Sequence, residues 1–312
     1  MKKFEQKFIL VKRKTRLEEL TLKYNTVDQA KFYIEHMGID FEDYLLEDRN
    51  YRTSLDQCMR ILSELGIVLL LDREHLSTYL FGDDDLVVVL GQDGLVANTL
   101  KYLDTQKLIA INPDPKRWEG VLLPFEVSQL KGIIEDTINN KRPIKQITMA
   151  KATLNDGQCM YGVNDLFIGQ KSHVSSRYHI QIDDKEESQS SSGIIVSTGL
   201  GSTGWLKSII AGAVGIISNY TNVEIKETDK SAEMAWDSDY LYFSVREPYR
   251  SKTTGDSLVF GKITKQNNVT IESRMPFNGC IFSDGIEDDY LEFNSGAAVT
   301  ITIAEKKGKL VI

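Results

Sequence analysis

The chain is poor in cysteine, in histidine, in long apolar runs and in positive charge, and each shortage removes a class of function. Its three cysteines, Cys58, Cys159 and Cys280, lie far apart among 312 residues. None belongs to a CxxC pair or has a histidine at metal-ligand spacing, so neither a disulfide framework nor a zinc site is indicated. Buried thiols in a reducing compartment are expected instead. The four histidines, His36, His75, His173 and His179, show no ligand or nucleophile spacing. The first apolar run, Phe8–Val11, is too short for a signal-peptide core. No stretch approaches the roughly 20 apolar residues of a membrane helix. A cytoplasmic protein is the plain reading. The formal net charge of −8 offers no basic field for nucleic acid or anionic membrane, so neither is expected as a partner. Phosphate ligands stay possible, because a nest of backbone amides binds phosphate even in an acidic protein.

What is present is ordinary globular composition, with 41% hydrophobic and 26% charged residues, in a chain long enough for two domains. The first half reads as α/β. Short apolar strands are expected at Phe8–Lys12 and Ile67–Leu71. Between them Leu55, Cys58, Met59, Leu62 and Leu65 fall at helical spacing, and Gly66 ends the helix. The run Asp85–Leu90 is continuously apolar after its first residue, as in the middle of a parallel sheet. Helical spacing returns over Leu95–Leu103 and again over Phe125–Ile138. Lys141-Arg142-Pro143 has the look of a domain junction. Beyond it, short β-type segments dominate, separated by turn residues, with one helical segment at Thr203–Ile217. Asp183–Ser192 is polar and aperiodic and reads as a solvated loop.

Three short motifs have the chemistry for a site. Gly91-Gln92-Asp93-Gly94 closes the apolar strand and opens a helix. Glycines there admit backbone amides to a phosphate, and Asp93 adds a carboxylate that either orients a hydroxyl or caps the helix. Gly199-Leu200-Gly201-Ser202-Thr203-Gly204 matches G-x-G-x-x-G, with Glu224 at the spacing of a ribose-binding acid. Its place inside β-rich texture argues against a hydride-transfer domain, while an anion nest fits either way. Asn164-Asp165 combines an amide with a carboxylate, suited to a base edge and ribose hydroxyls, or simply to a turn before a strand. Asp83-Asp84-Asp85 reads as a solvated turn, since consecutive side chains do not converge on one ion.

In this order the motifs resemble the NAD kinase family. The turn at Gly91–Gly94, the Asn164-Asp165 pair, the turn Gly201-Ser202-Thr203-Gly204-Trp205 and the late Asp284-Gly285 each have a family counterpart. Ile111–Leu123, Asp165–Asp184 and Ser191–Trp205 are similar to the branch that includes mitochondrial NAD kinases. The resemblance implies a Rossmann-like α/β kinase domain over 1–143 and a β-sandwich-like NAD-binding domain over 144–288, the NAD kinase/diacylglycerol kinase-like arrangement. Residues 289–312 would return to the first domain, and subunits would pair as homodimers or higher oligomers. It also implies transfer of a phosphoryl group from ATP or another donor, with Mg²⁺, to the 2′-hydroxyl of NAD. By position, Asp93 matches the base, and Gly91, Gln92 and Gly94 match the phosphate cradle. Asn164, Asp165, Ser192, Gly201, Ser202, Thr203, Trp205 and Ser208 match the NAD-binding set, with no protein metal ligand among them. Gln92 and Leu95 depart from the family pattern at a glycine and a threonine on the donor side, and Ser192 stands where many members have Asp. Two rivals follow: a related kinase acting on a lipid or other hydroxyl, and a catalytically weak NAD(P)-binding regulator.

Overall fold

The structure, a computed structural model, describes residues 6–221, 223, 225 and 233–312. Glu224 therefore lies outside the described residues. The chain divides into two compact units, Met1–Lys145 with Lys309–Ile312, and Gln146–Gly308.

The first unit is a parallel sheet covered by helices. Its elements run β1 (Lys7–Lys12), α1 (Arg16–Tyr24), α2 (Val27–His36), α3 (Glu42–Leu65), β2 (Ile67–Asp72), β3 (Leu86–Leu90), α4 (Asp93–Leu100), β4 (Lys107–Asn112), β5 (Phe125–Glu126) and α5 (Leu130–Ile138). The strand order is β2-β1-β3-β4, all parallel. From β1 the chain crosses to β2 on one side, and from β3 it crosses to β4 on the other. The order thus reverses between β1 and β3, and ligands of such sheets bind beyond the strand ends at that reversal. Side chains alternate along each strand. Phe8, Leu10, Val88, Leu90, Ile109 and Ile111 pack with Tyr51, Cys58 and Leu62 of α3 and with Leu130, Ile133 and Ile134 of α5. Ile9, Val11, Val87 and Val89, on the opposite face, are equally buried. Capping fixes the first turns: the Thr15 and Glu18 side chains form a reciprocal capping box on α1. Strand β4 was not anticipated, although it is apolar throughout. Its start, Lys107 and Leu108, also pairs with Lys309 and Leu310.

The second unit is a β-sandwich. In chain order it contains β6 (Ile144–Leu154), β7 (Cys159–Gly162), β8 (Asp165–Gln170), β9 (Ser176–Ile182), β10 (Lys185–Ser191), β11 (Ile194–Ser197), α6 (Trp205–Thr221), β12 (Leu241–Val245), β13 (Phe260–Ile263), β14 (Val269–Ser273), β15 (Gly279–Ser283), β16 (Ile286–Glu292) and β17 (Ala298–Val311). One antiparallel sheet has the order β13-β12-β11-β8-β15-β16. The other runs β10-β9-β14-β17, with β6 on β17 and β7 on β6. Their inner faces meet in one core, where Ile168, Ile194, Phe243 and Ile281 oppose Tyr178, Ile180, Ile271 and Ile301.

The expected solvated loop over Asp183–Ser192 is corrected by this sheet. Residues Lys185–Ser191 form β10, a hairpin partner of β9, turned at Asp183 with φ of 51°. The strand is polar because its buried residues bond inward. The Tyr178 hydroxyl donates to Gln189 Oε1 at 3.0 Å and lies 2.7 Å from Ser191 Oγ. Glu187, toward the other end of β10, accepts from Ser257 N and Oγ, Leu258 N and Gln189 Nε2.

Helix α6 carries Trp205, Ile209 and Leu206 at its start, and Trp205 and Ile209 pack on Phe167, Ile195 and Cys280 of the outer sheet face. Only Leu206 of α6 is buried. Ile216 is 70% and Tyr220 88% exposed, unusual for a helix apolar on all sides. Among the described residues no helix is long and apolar enough to cross a membrane.

Candidate active site

In the first unit the Gly91–Gly94 turn stands at the C-terminal end of β3, beside the reversal of strand order. Gly91 N donates to Ile111 O at 3.3 Å, extending the ladder one residue past β3. Gln92 is the N-cap of α4 in extended backbone and makes no side-chain cap. Asp93 is the first helical residue. Its carboxylate is not a cap: Oδ1 accepts from Leu122 N at 2.8 Å and Oδ2 from Val121 N at 3.2 Å. The carboxylate thereby holds the segment that follows Gly120, a residue at φ of 65° where glycine is favoured. A Cβ at Gly94 would meet nothing within 4 Å, so its backbone borders open space. A Cβ at Gly91 would meet Leu95 Cδ2 at 2.8 Å. Leu95, a departure from the family pattern, is buried beneath the turn rather than presented to a ligand.

In the second unit four sequence candidates converge. The Asn164 carbonyl accepts from Thr198 N at 2.9 Å, and Thr198 Oγ1 donates to Val163 O at 2.5 Å and accepts from Gly201 N at 3.2 Å. A Cβ at Gly201 would lie 2.1 Å from Asn164 O and 2.8 Å from Asp165 Oδ1, so this position admits glycine alone without a backbone shift. Asp284, at φ of 56°, completes the turn. Its Oδ1 accepts from Val163 N at 3.0 Å and Asn164 N at 2.6 Å, while its own amide donates to Asp165 O at 3.0 Å. The sequence alone assigns Asp284-Gly285 no role; in the structure Asp284 binds the amides of the Asn164 turn.

Asp165 is 9% exposed, and its Oδ1 has no hydrogen-bond partner. Burial pushes its carboxyl up to about 7; the Ser197 hydroxyl opposes this, and the neighbouring Asp284 charge adds to it. A buried acceptor without a donor is costly, and a ligand hydroxyl would relieve it. Ser202 is fully buried and structural, donating to Gly199 O at 2.8 Å and accepting from Met234 N at 3.0 Å. Thr203 is exposed at the mouth of the turn, its Oγ1 donating to Leu200 O at 3.4 Å. Ser208 is exposed on α6, its hydroxyl turned back to Gly204 O at 3.3 Å.

Ser192 does not join this cluster. Strand β11 pairs Ser197 with Asp165 but Ile194 with Ile168. Ser192 therefore sits roughly 20 Å along the sheet from Asn164. It borders a recess of about 590 Å³ walled by Phe167, Trp205, Phe282 and Tyr290. Trp205 stacks on Phe167 with centroids 6.1 Å apart, and Arg246 Cζ lies 5.7 Å from its ring.

The G-x-G-x-x-G match does not open a dinucleotide βαβ unit. Its preceding strand, β11, is antiparallel to both neighbours, whereas that motif requires a parallel crossover. Asp85 of the acidic triplet binds Gly82 N and pairs with Lys7. Among the described residues, no group of three or more His, Cys, Asp or Glu side chains is placed to hold a metal ion.

No family model matches the chain. It is 30% identical over 155 residues to mitochondrial NAD kinase 2 of Xenopus tropicalis, covering 43% of this chain and 34% of that protein. It is 23% identical over 365 aligned positions to mitochondrial NAD kinase 2 of Rattus norvegicus, covering 95% of this chain and 84% of that protein. Among solved structures, an NAD kinase from Archaeoglobus fulgidus in complex with ATP superposes with a TM-score of 0.57 at 14% identity, covering 98% of this chain and 94% of that one. Yeast NADH kinase complexed with NADH superposes with a TM-score of 0.58 at 14% identity, covering 98% and 83%. The chain thus shares the fold of these two NAD kinases and is similar in sequence to mitochondrial NAD kinase 2 along nearly its whole length.

Proposed function

We propose that the chain is a NAD kinase that transfers the terminal phosphoryl group of ATP to the 2′-hydroxyl of the adenosine ribose of NAD. The ribose oxygen bonds to phosphorus, the bond to the departing ADP oxygen breaks, and Asp93 takes the hydroxyl proton. The observation that carries the reading is Asp165, a buried carboxylate with an unpaired oxygen in the turn built by Asn164, Gly201 and Asp284. It has the chemistry to receive a ribose hydroxyl. The Gly94 amide and the start of α4 are assigned to the donor phosphates, with Gln92 beside them and Gly91, whose amide is bonded to Ile111 O, shaping the turn. Positioning and charge neutralisation dominate such transfers. Among the described residues no acidic side chains converge as metal ligands, so a divalent metal would be carried by the donor's phosphates and would neutralise their charge. Thr203 and Trp205 are assigned to the adenine and Ser202 to the shape of the turn. Ser192, with Ser208, belongs to a more distant part of the dinucleotide surface. A cytoplasmic location and a homodimer are parts of the same reading, supported by unpaired cysteines and by the bare apolar surface of α6.

The test is a coupled NADP-formation assay on purified protein with ATP, other nucleoside triphosphates and polyphosphate in turn. NADP formed with ATP upholds the reading, NADP formed only with another donor keeps the acceptor and overturns ATP as the donor, and none formed with all of them ends it.

One observation favours a second reading. Both oxygens of Asp93 are already engaged by amides of its own unit, as suits a non-catalytic NAD(P)-binding regulator. Calorimetry showing tight NADP binding without turnover under any donor selects that reading.

A further inference from the structure

The middle of α3 carries a polar stripe where a helix packed on a sheet ordinarily offers apolar residues. Asp43, Glu47, Asn50, Tyr51 and Ser54 follow one another at intervals of four, three, one and three, which puts them on one face. Glu47 is 2% and Tyr51 3% exposed. Four of these side chains are bonded just past a strand end. Glu47 accepts from Arg13 Nη2 at 2.7 Å and Arg16 Nε at 2.8 Å, past β1. Asn50 Nδ2 donates to Asp114 Oδ2 at 2.9 Å and Ser54 Oγ to Pro113 O at 2.9 Å, past β4. Tyr51 joins the two strands between which the order reverses. Its hydroxyl accepts from Arg13 N at 3.0 Å and donates to Leu90 O at 2.9 Å. Leu90 is the last residue of β3, directly ahead of Gly91.

From this geometry we infer that Tyr51 is a positioning residue for the donor-phosphate turn, acting through the Leu90 carbonyl on the amides that follow it. The inference rests on the kinase reading above. Peptide planarity ties the Leu90 carbonyl, held by Tyr51, to the Gly91 amide, held by Ile111 O on the β4 side, so the two bonds together fix the strand exit from which the amides of Gly94 and the start of α4 take their direction. Burial pushes the Tyr51 phenol up to about 12, so it remains a neutral donor across the working range. The aromatic ring alone would serve packing; the hydroxyl is spent wholly on two backbone groups at strand exits.

The test is Tyr51→Phe in the full chain, with initial rates measured against donor and against NAD separately. Small misplacements near the chemistry cost up to about 100-fold, so a donor KM raised roughly tenfold is expected. The NAD KM stays within about twofold, because the removed contact touches only the donor side. Tyr178→Phe is the control: it removes an equally buried hydroxyl from the second unit and leaves the donor KM unmoved. A donor KM unchanged in Tyr51→Phe overturns the inference, as does a parallel rise in both KM values, which marks general loosening. If Tyr51→Phe does not fold, 3-fluorotyrosine at position 51 decides: it keeps the ring and makes the hydroxyl a stronger donor to Leu90 O, and a changed donor KM with an unchanged NAD KM supports the inference while an unchanged donor KM overturns it. If the unaltered protein phosphorylates nothing, the kinase reading is what has failed. Calorimetric titration of ATP into wild type and Tyr51→Phe then still reads the turn, with weaker binding by the variant supporting the inference and equal binding overturning it.

Discussion

The carboxylate of Asp93 holds the amide of Leu122 at 2.8 Å, across 29 residues of sequence. One side chain thus has two claims on it, a loop in this structure and a ribose hydroxyl in the proposed reaction. Replacing Asp93 by Asn separates them. Loss of a general base costs typically about 10²–10⁴-fold in rate. We expect turnover to fall within that range while calorimetric NAD binding persists. Hydrogen exchange of the Val121 and Leu122 amides should quicken, since an Asn side chain offers one acceptor oxygen in place of two.

Gly94→Ala isolates the phosphate cradle from stability. A methyl there meets no protein atom within 4 Å, and alanine is the better helix former by about 1 kcal/mol. The melting temperature should hold or rise slightly while the donor KM climbs, because the methyl stands where phosphate would approach. A donor KM equal to wild type removes Gly94 from the cradle.

Gly201→Ala behaves oppositely. The added carbon would fall 2.1 Å from Asn164 O, and overpacking of this kind typically costs about 1–3 kcal/mol. Thermal stability and NAD affinity should drop together. Gly204→Ala, whose nearest contact would be Gly201 O at 3.4 Å, should leave stability near wild type. Equal melting temperatures for the two variants would contradict the crowding at Gly201.

Asp165 gives stability a pH signature. Its carboxyl is raised from an ordinary 3.8 to about 7 by burial, so the folded protein binds a proton that the unfolded chain has released. The contribution is fully present below about pH 4, declines as pH rises toward 7, and is flat above. The slope from this group is at most about 1.4 kcal/mol per pH unit. Asp165→Asn should flatten that decline in urea melts between pH 4 and 7. Glu187 acts at the other end. Although burial alone would raise its pKa, the donors of Ser257, Gln189 and Leu258 hold its carboxyl down at about 2. Its contribution is present above about pH 4.5 and is lost as pH falls toward 2. Glu187→Gln should lessen acid sensitivity in that window.

Much of this was readable in the sequence where local chemistry and fold agree. The β3 run, bounded by Asp85 and Gly91, announces a buried strand, a turn and a helix, and all three form. The inward-bonding polar residues were hidden. Gln189 and Ser191 look solvated until Tyr178 is placed opposite them, and Glu47 and Tyr51 mask the helical period of α3. Pairing register is also silent in a single chain, so the resemblance groups Ser192 with Asn164 in one binding set, and only β11 laid against β8 shows the distance between them. The unit boundary at Lys145/Gln146 lies near the Pro143 punctuation, and the pairing of Lys309 and Leu310 with Lys107 and Leu108 puts residues 309–312 in the first unit, a shorter stretch than the 289–312 that the resemblance implies.

The turn at Asn164 takes its shape from a carboxylate that arrives 120 residues later. A growing polypeptide that has not yet exposed Asp284 leaves those amides without their acceptor, however well β8 and β11 have paired. On the proposed reading, competence for the dinucleotide would be acquired late in synthesis, and a nascent chain halted before that residue should be a poor trap for NAD.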